Sequence, residues 1–187
     1  MKTFGKKAST AILLFSWFSF LSMPGWAIAQ ETSPVQRVAR VKLTPEVQEA
    51  ISKGLVFLSK TQKQDGSWGD KHSVADTSLA LMSFMLQGHV PGRGSYGDHM
   101  ERGLAYIVNV GKKGRGGYLG TPSHHGGMYE HGLAILALSE AWGQSTNRDL
   151  RNTLRRAVDV TIRAQNSQGG WRYNPEPRDA DLSMTVM

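Results

Sequence analysis

The pattern Gln-x3-Gly-x-Trp constrains this chain more than any other feature. It occurs at Gln62, Gly66 and Trp68, and again at Gln165, Gly169 and Trp171. A basic residue, a small one and an apolar run precede each copy: Lys53-Gly54-Leu55-Val56-Phe57-Leu58 in one, Arg156-Ala157-Val158-Asp159-Val160-Thr161 in the other. Gly54 to Trp68 and Ala157 to Trp171 are both 14 residues. A weaker middle copy reads Arg102-Gly103-Leu104-Ala105-Tyr106-Ile107 and then Gly116-Gly117-Tyr118. Here Tyr118 stands where Trp is expected, and Asn109 stands roughly where Gln is. The starts at 54, 103 and 157 give a period of 49 and then 54 residues. A regular period of this size signals a repeat architecture, in which each unit buries its apolar face against its neighbours.

Each unit has two parts. The first is an amphipathic helix: from Leu43 to Gln62, Val47, Ala50, Ile51, Gly54, Leu55 and Leu58 recur at spacings of three and four. Thr44 before Pro45 predicts an N-cap followed by proline at the first helical position. Glu46 and Glu49 sit where the helix dipole favours acids. The second part is a shorter, more apolar helix. It is predicted from Asp76-Thr77-Ser78 to Gly88, from Tyr129 to Gly143, and from Asp179 onward with Leu182, Met184, Val186 and Met187. An apolar helix is buried on most of its surface and an amphipathic one faces water on one side. No run with the period-two alternation of a strand stands out. The glycines close helix ends, where a left-handed residue is favoured. Trp supplies apolar cover to the turn, and Gln offers both donor and acceptor to unpaired helix-end groups. The motif is therefore expected to clamp a helical hairpin.

These residues resemble the QW motif of squalene-hopene and oxidosqualene cyclases, and more broadly the prenyltransferase/squalene oxidase repeat family. The resemblance covers about residues 44–187. It implies an all-α fold: a partial α/α toroid of about three helical hairpins, the last incomplete and the domain truncated at its C-terminus. By the same likeness Gln62 with Trp68, and Gln165 with Trp171, tie outer helices to inner ones. The family's cyclases protonate an alkene with the middle Asp of Asp-x-Asp-Asp. Here Asp179-Ala180-Asp181-Leu182 keeps two acids, with Asp181 in the protonating position and Leu182 in place of the last Asp. The repeat offers another account of the same residues. Trp68 to Asp76 and Trp171 to Asp179 are both 8 residues, so Asp179 corresponds to Asp76, which needs only to be an N-cap. The zinc site of protein prenyltransferases resembles Asp-Cys-His, and this chain has no cysteine.

Other candidates are sparse. His124, His125, Glu130 and His131 form the only dense group of potential metal ligands. A loop pair and a helix start account for them, and no metal or cofactor is expected. His131 opens the central inner helix and is expected to face the middle of the arc, which makes it the best single candidate for a functional histidine. Asp98, His99, Ser73 and Ser123 do not assemble into a recognisable triad. The Gly-Arg-Gly stretches at Gly92 and Gly114 lack the strand and the Lys-Ser/Thr of a phosphate loop. Met82, Met85 and Met128 read as core filling.

The N-terminus reads as a secretory signal. Lys2, Lys6 and Lys7 precede an apolar stretch from Ala11 to Leu21, and Ala27-Ile28-Ala29 is a small-x-small cleavage site. The expected organisation is a signal peptide over 1–29 cleaved after Ala29, a flexible leader over 30–43 and a repeat domain over 44–187, secreted or periplasmic. The apolar stretch falls short of the roughly 20 residues that span a bilayer, and no stable transmembrane span is expected. Subtracting the three signal lysines from the net charge of +7 leaves +4 over residues 30–187. That balance is scattered rather than striped, so no nucleic-acid partner is expected. The expected function is an exported, non-catalytic binding or scaffold module, or a fragment of a longer toroid, taking a protein, lipid or glycan on its concave face. The alternatives are a squalene-hopene-type cyclase with an Asp proton donor, and another α/α-toroid enzyme acting on polysaccharide.

Overall fold

A computed structural model of the chain describes residues 43–121, 126–176 and 178–187. The expected signal peptide, its cleavage site, residues 30–42 of the leader, and Ser123, His124 and His125 lie outside the described residues. The rest is all-helical, with six α-helices and no strand among the described residues: α1 (Pro45–Thr61), α2 (Ser73–Leu86), α3 (Gly97–Lys113), α4 (Gly127–Ala141), α5 (Leu150–Arg163) and α6 (Leu182–Thr185). A single 3-10 turn (Arg115–Gly117) follows α3.

The start of α1 follows from its sequence. Thr44 Oγ1 accepts the N–H of Val47 at 3.4 Å and Pro45 opens the helix. In α3 the buried positions Met100, Gly103, Leu104, Ile107, Val108 and Gly111 recur at spacings of three and four, so one stripe turns inward. α2 and α4 pack most extensively on each other. α3 lies against α2 and α5, α4 against α5, and α1 against α2. The more apolar α2 and α4 thus form one layer, and the amphipathic α1, α3 and α5 pack against it. Leu81, Phe84, Leu104, Ile107, Leu119 and Leu138 are fully buried between them. The apolar helices are not covered all round, however. Leu86 on α2 is 79% exposed, Leu79 49% and Leu136 on α4 51%.

The repeated motif builds the same object twice. Trp68 Nε1–H donates to Leu58 C=O at 2.7 Å, and Trp171 Nε1–H donates to Thr161 C=O at 2.7 Å. Both acceptors lie in the last turn of a helix, where carbonyls have no helical partner. Gln62 Nε2 donates to Gly66 C=O at 2.9 Å and Gln165 Nε2 to Gly169 C=O at 2.8 Å. The tight turns match as well: Lys63 N–H to Ser67 C=O and Asn166 N–H to Gly170 C=O, each 2.9 Å. Gly66 and Gly169 take φ of +89° and +84°, which only glycine adopts without strain. The clamp closes on the inner helix through backbone. Trp68 N–H donates to Thr77 Oγ1 at 3.0 Å, and Trp171 N–H to Thr185 Oγ1 at 3.2 Å.

The middle copy departs from its expected alignment. The inner-helix bond is made there by Leu119 N–H, which donates to His131 Nδ1 at 3.1 Å. Leu119, fully buried, therefore holds the Trp68 position, and Tyr118 does not. Gly117 (φ +100°) then takes the place of Gly66. Asn109 is exposed in mid-helix and takes no part. The Gln62 position falls on Gly111, eight residues after Gly103 as Gln62 is after Gly54. A Cβ on Gly111 would lie 2.6 Å from Thr153 Cγ2, so the missing side chain lets α5 approach closely.

The predicted starts of the inner helices need correcting too. α2 begins at Ser73, so Asp76 lies a turn inside the helix and is no N-cap. Asp181, not Asp179, caps α6. The uniform spacing of eight residues fails because the loops differ in length. The backbone N–H bonds from Trp68, Leu119 and Trp171 span 9, 12 and 14 residues.

Candidate binding cleft

His131 is fully buried. Its two nitrogens are both used between α4 and the elements beside it. Nδ1 receives the N–H of Leu119. Nε2 lies 3.1 Å from Ala157 C=O and 3.2 Å from Thr161 Oγ1. A backbone N–H can only donate and a carbonyl can only accept. The proton must therefore sit on Nε2, and the ring is neutral. Burial holds its pKa down at about 4. A side chain spent in this way fastens the loop after α3 and the middle of α5 to α4. It has no nitrogen left for a substrate.

The acids are placed as follows. Asp181 Oδ1 accepts from Ser183 Oγ and from Met184 N–H at 3.2 Å, and Oδ2 accepts from Tyr173 Oη at 3.0 Å. Three donors favour the carboxylate, so its pKa is lowered, first by Ser183 and then by Met184 and Tyr173. Asp179 is exposed and pairs with Arg172 at 2.8 Å. Asp76 sits against the backbone of Gly69, where a Cβ would lie 2.8 Å from its own Cβ. None of the three is aimed into a deep hollow with His131. Among the described residues no group of three His, Cys, Asp or Glu side chains could hold a metal ion. Nor is any described helix long and apolar enough to cross a membrane.

Glu130 is a functional-looking residue that no motif singles out. It is buried, at 2% exposure. Oε1 lies 2.8 Å from His72 Nδ1 at the head of α2. Oε2 accepts from Thr121 N–H at 3.1 Å and Thr121 Oγ1 at 2.7 Å. A buried carboxylate is stable only with such partners. Glu130 thus pins the loop leaving Gly120 and ties the heads of α2 and α4. In the sequence it stands out only as a potential metal ligand beside His131, and not for this pinning role.

A hollow opens beside this point. It has a volume of about 870 Å³ and lies between the end of α3, the second half of α5 and the loop after Trp171. Tyr118 and Tyr173 form aromatic walls, and Lys113 and Arg163 supply positive charge. Val160 contributes apolar surface, and Asn174 and Glu176 line the rim. Tyr118 is held ring against ring with His131, centroids 5.2 Å apart. Its hydroxyl lies against Gly120 and Gly127, where a Cβ on Gly120 would be 2.6 Å away. Burial, with the Glu130 charge second, pushes this phenol up to about 12, so it stays a neutral donor. Tyr173 is fixed from three sides. Its hydroxyl donates to Asp181, its carbonyl accepts Met128 N–H at 3.2 Å, and Arg172 stacks 5.3 Å from its ring centre. Asp181 is therefore a positioning residue for one wall of the cleft. Lys113 and Arg163 form no ion pair among the described residues, whereas neighbouring Lys112 pairs with Asp149. Comparison of the chain with protein-family models, with curated proteins and with solved structures gives no match.

Proposed function

We propose that this chain is an exported helical-repeat binding module, a partial α/α toroid of the squalene-cyclase and prenyltransferase repeat kind. It holds an acidic oligosaccharide in the Tyr118–Tyr173 cleft without transforming it. One observation carries this reading: the cleft brings two fixed tyrosines together with two cations, Lys113 and Arg163, that form no ion pair among the described residues. Aromatic faces stack on the C–H faces of sugar rings, and Arg163 can form the paired hydrogen bonds that carboxylates favour. A neutral Tyr118 hydroxyl, Asn174 and Glu176 supply donors and acceptors for sugar hydroxyls. The binding reading also accords with the bonds that occupy His131, Asp179 and Asp181. Each makes hydrogen bonds or an ion pair within the protein's own structure. Export rests on the basic, apolar and small-x-small order of residues 1–29.

Calorimetric titration with an oligogalacturonate and a neutral oligosaccharide of the same length tests the reading. Binding of the acidic ligand alone is expected, weakening as salt rises. Arg163→Ala and Tyr173→Ala should each weaken it about tenfold, the loss expected when one charged or one aromatic anchor goes. Equal binding of both sugars, or of neither, would remove the proposal. Incubation with squalene serves as the enzymatic control. No cyclised product is expected, and turnover abolished by Asp181→Asn would put a cyclase in its place.

A further inference from the structure

The clamp does more than close its own hairpin, because the first and middle copies also receive the helix of the next unit. Gly66 packs backbone to backbone on Arg102 of α3, where a Cβ would fall 2.8 Å from the Arg102 carbonyl carbon. Gln62 Oε1 accepts from Arg102 Nη2 at 2.7 Å, and Gln62 Nε2 donates to His99 C=O at 2.8 Å. Gly103, the next residue, makes room for Trp68: a Cβ there would lie 2.9 Å from the indole. The second junction uses the same register. Gly117 packs on Arg156 of α5, where a Cβ would fall 2.7 Å from the Arg156 carbonyl carbon. Arg156 Nη2 donates to Gly111 C=O at 3.3 Å. In both, a helix offers a basic residue followed by a small one, and its cation meets the C-terminal end of the preceding amphipathic helix, where the dipole is negative.

The third clamp has the same internal bonds and no helix against it among the described residues. The nearest atom to a Cβ on Gly169 would be Gln165 Nε2, its own clamp partner, at 3.8 Å. Beside it Ile162 is 64% exposed. The opposite half of the junction is also present, and unoccupied among the described residues. α1 carries Lys53-Gly54 in the register of Arg102-Gly103, and a Cβ on Gly54 would find nothing within 4 Å. Phe57, one turn on, is 64% exposed. We propose that the chain associates head to tail: the third clamp, built on Gln165, Gly169 and Trp171, receives α1 of a second copy along Lys53 and Gly54. The two surfaces belong to one chain and repeat a contact that the chain already makes twice, which is why a second copy is the occupant. Such a contact is heterologous, so it gives rings where the rotation closes and open strings where it does not. This association does not depend on the cleft or on what it binds.

Sedimentation velocity of the purified chain over roughly 1–100 µM, a range that spans ordinary self-association, provides the test. Gly54→Trp is the informative variant. Open space surrounds that position, and replacing a glycine within an exposed helix does not weaken the helix. The helical spectrum and melting temperature should be kept while the junction is blocked. The wild-type sedimentation coefficient should climb with concentration. Gly54→Trp and Gln165→Ala should shift the association constant down at least about tenfold, as loss of a central interface anchor does. A wild-type chain that stays monomeric across the range overturns the proposal, and so does Gly54→Trp associating as the wild type does.

Discussion

Replacing Trp68 with alanine is expected to cost about 4 kcal/mol of stability, the middle of the range for removing a buried Trp. The same change at Trp171 is expected to cost about 1–2 kcal/mol, in keeping with the smaller area it buries. The motif and its hydrogen bonds are the same at both positions, so sequence alone would make the two losses equal. Burial separates them. Trp68 is 3% exposed, its ring 6.2 Å from Phe84, with Gly103 of α3 lying across its face. Trp171 covers its own turn, packed in a small cluster with Met128, Ala164 and Met184, and no further helix lies over it among the described residues. Trp68→Phe divides the effect. A smaller aromatic ring stays, and Leu58 C=O loses its indole donor and keeps only Thr61 Oγ1 at 3.3 Å, at a cost of about 1–3 kcal/mol. Urea midpoints read by circular dichroism at low protein concentration give the comparison. Losses of equal size at Trp68 and Trp171 would mean that the clamp stabilises its own hairpin only, with the next helix adding nothing.

The clamp is legible in the sequence because its parts are local. Gln, Gly and Trp lie within seven residues, and their bonds run to the end of the helix just before them. That explains why the alignment of the first and third copies carries over to their hydrogen bonds. What the sequence hides is set between units. Leu119 holds a Trp position because His131, on the next inner helix, accepts its N–H, and no spacing rule ties residue 119 to 131. Gly111 replaces a Gln because Thr153 of α5 crowds that site, a contact 42 residues away along the chain. The acidic motif misleads for a similar reason. Counting from Trp assumes loops of one length, whereas the capping bond from Met184 N–H selects Asp181 and leaves Asp179 to Arg172. The cleft is the least legible feature. Its walls come from Tyr118 and Tyr173, two residues that only folding brings together around Asp181 and Gly120.

Between pH 6.5 and about 4 the chain is expected to lose on the order of 3 kcal/mol of stability through His131 alone, because a tenfold change in proton affinity is worth about 1.4 kcal/mol. The direction follows from which state binds the proton. Unfolded, the imidazole takes it up near 6.5; folded, burial defers uptake to about 4. Above about 7 both states are neutral and His131 adds no pH dependence. Between the two values only the unfolded chain gains a proton, so acid draws the protein toward unfolding. Below about 4 both are charged and the loss levels off. His99 has its pKa lowered, by burial and then by Arg102, and adds to the loss with the same sign. The lowered pKa values of Asp65 and Asp181 act below their ordinary 3.8 and contribute little in this window. His131→Gln isolates the effect. An amide can accept from Leu119 N–H or donate to Ala157 C=O and does not titrate. The variant should be weaker by about 1–2 kcal/mol at pH 7, the cost of imperfect replacement bonds. Its stability should then fall less steeply with acid, so that the two curves cross above pH 4 and the variant is the more stable below the crossing. Parallel curves from pH 7 to 4 would show that the wild-type ring does not stay neutral in the core. The tautomer assigned from Leu119 and Ala157 would then be wrong, since a charged ring cannot accept the Leu119 N–H that closes the middle clamp.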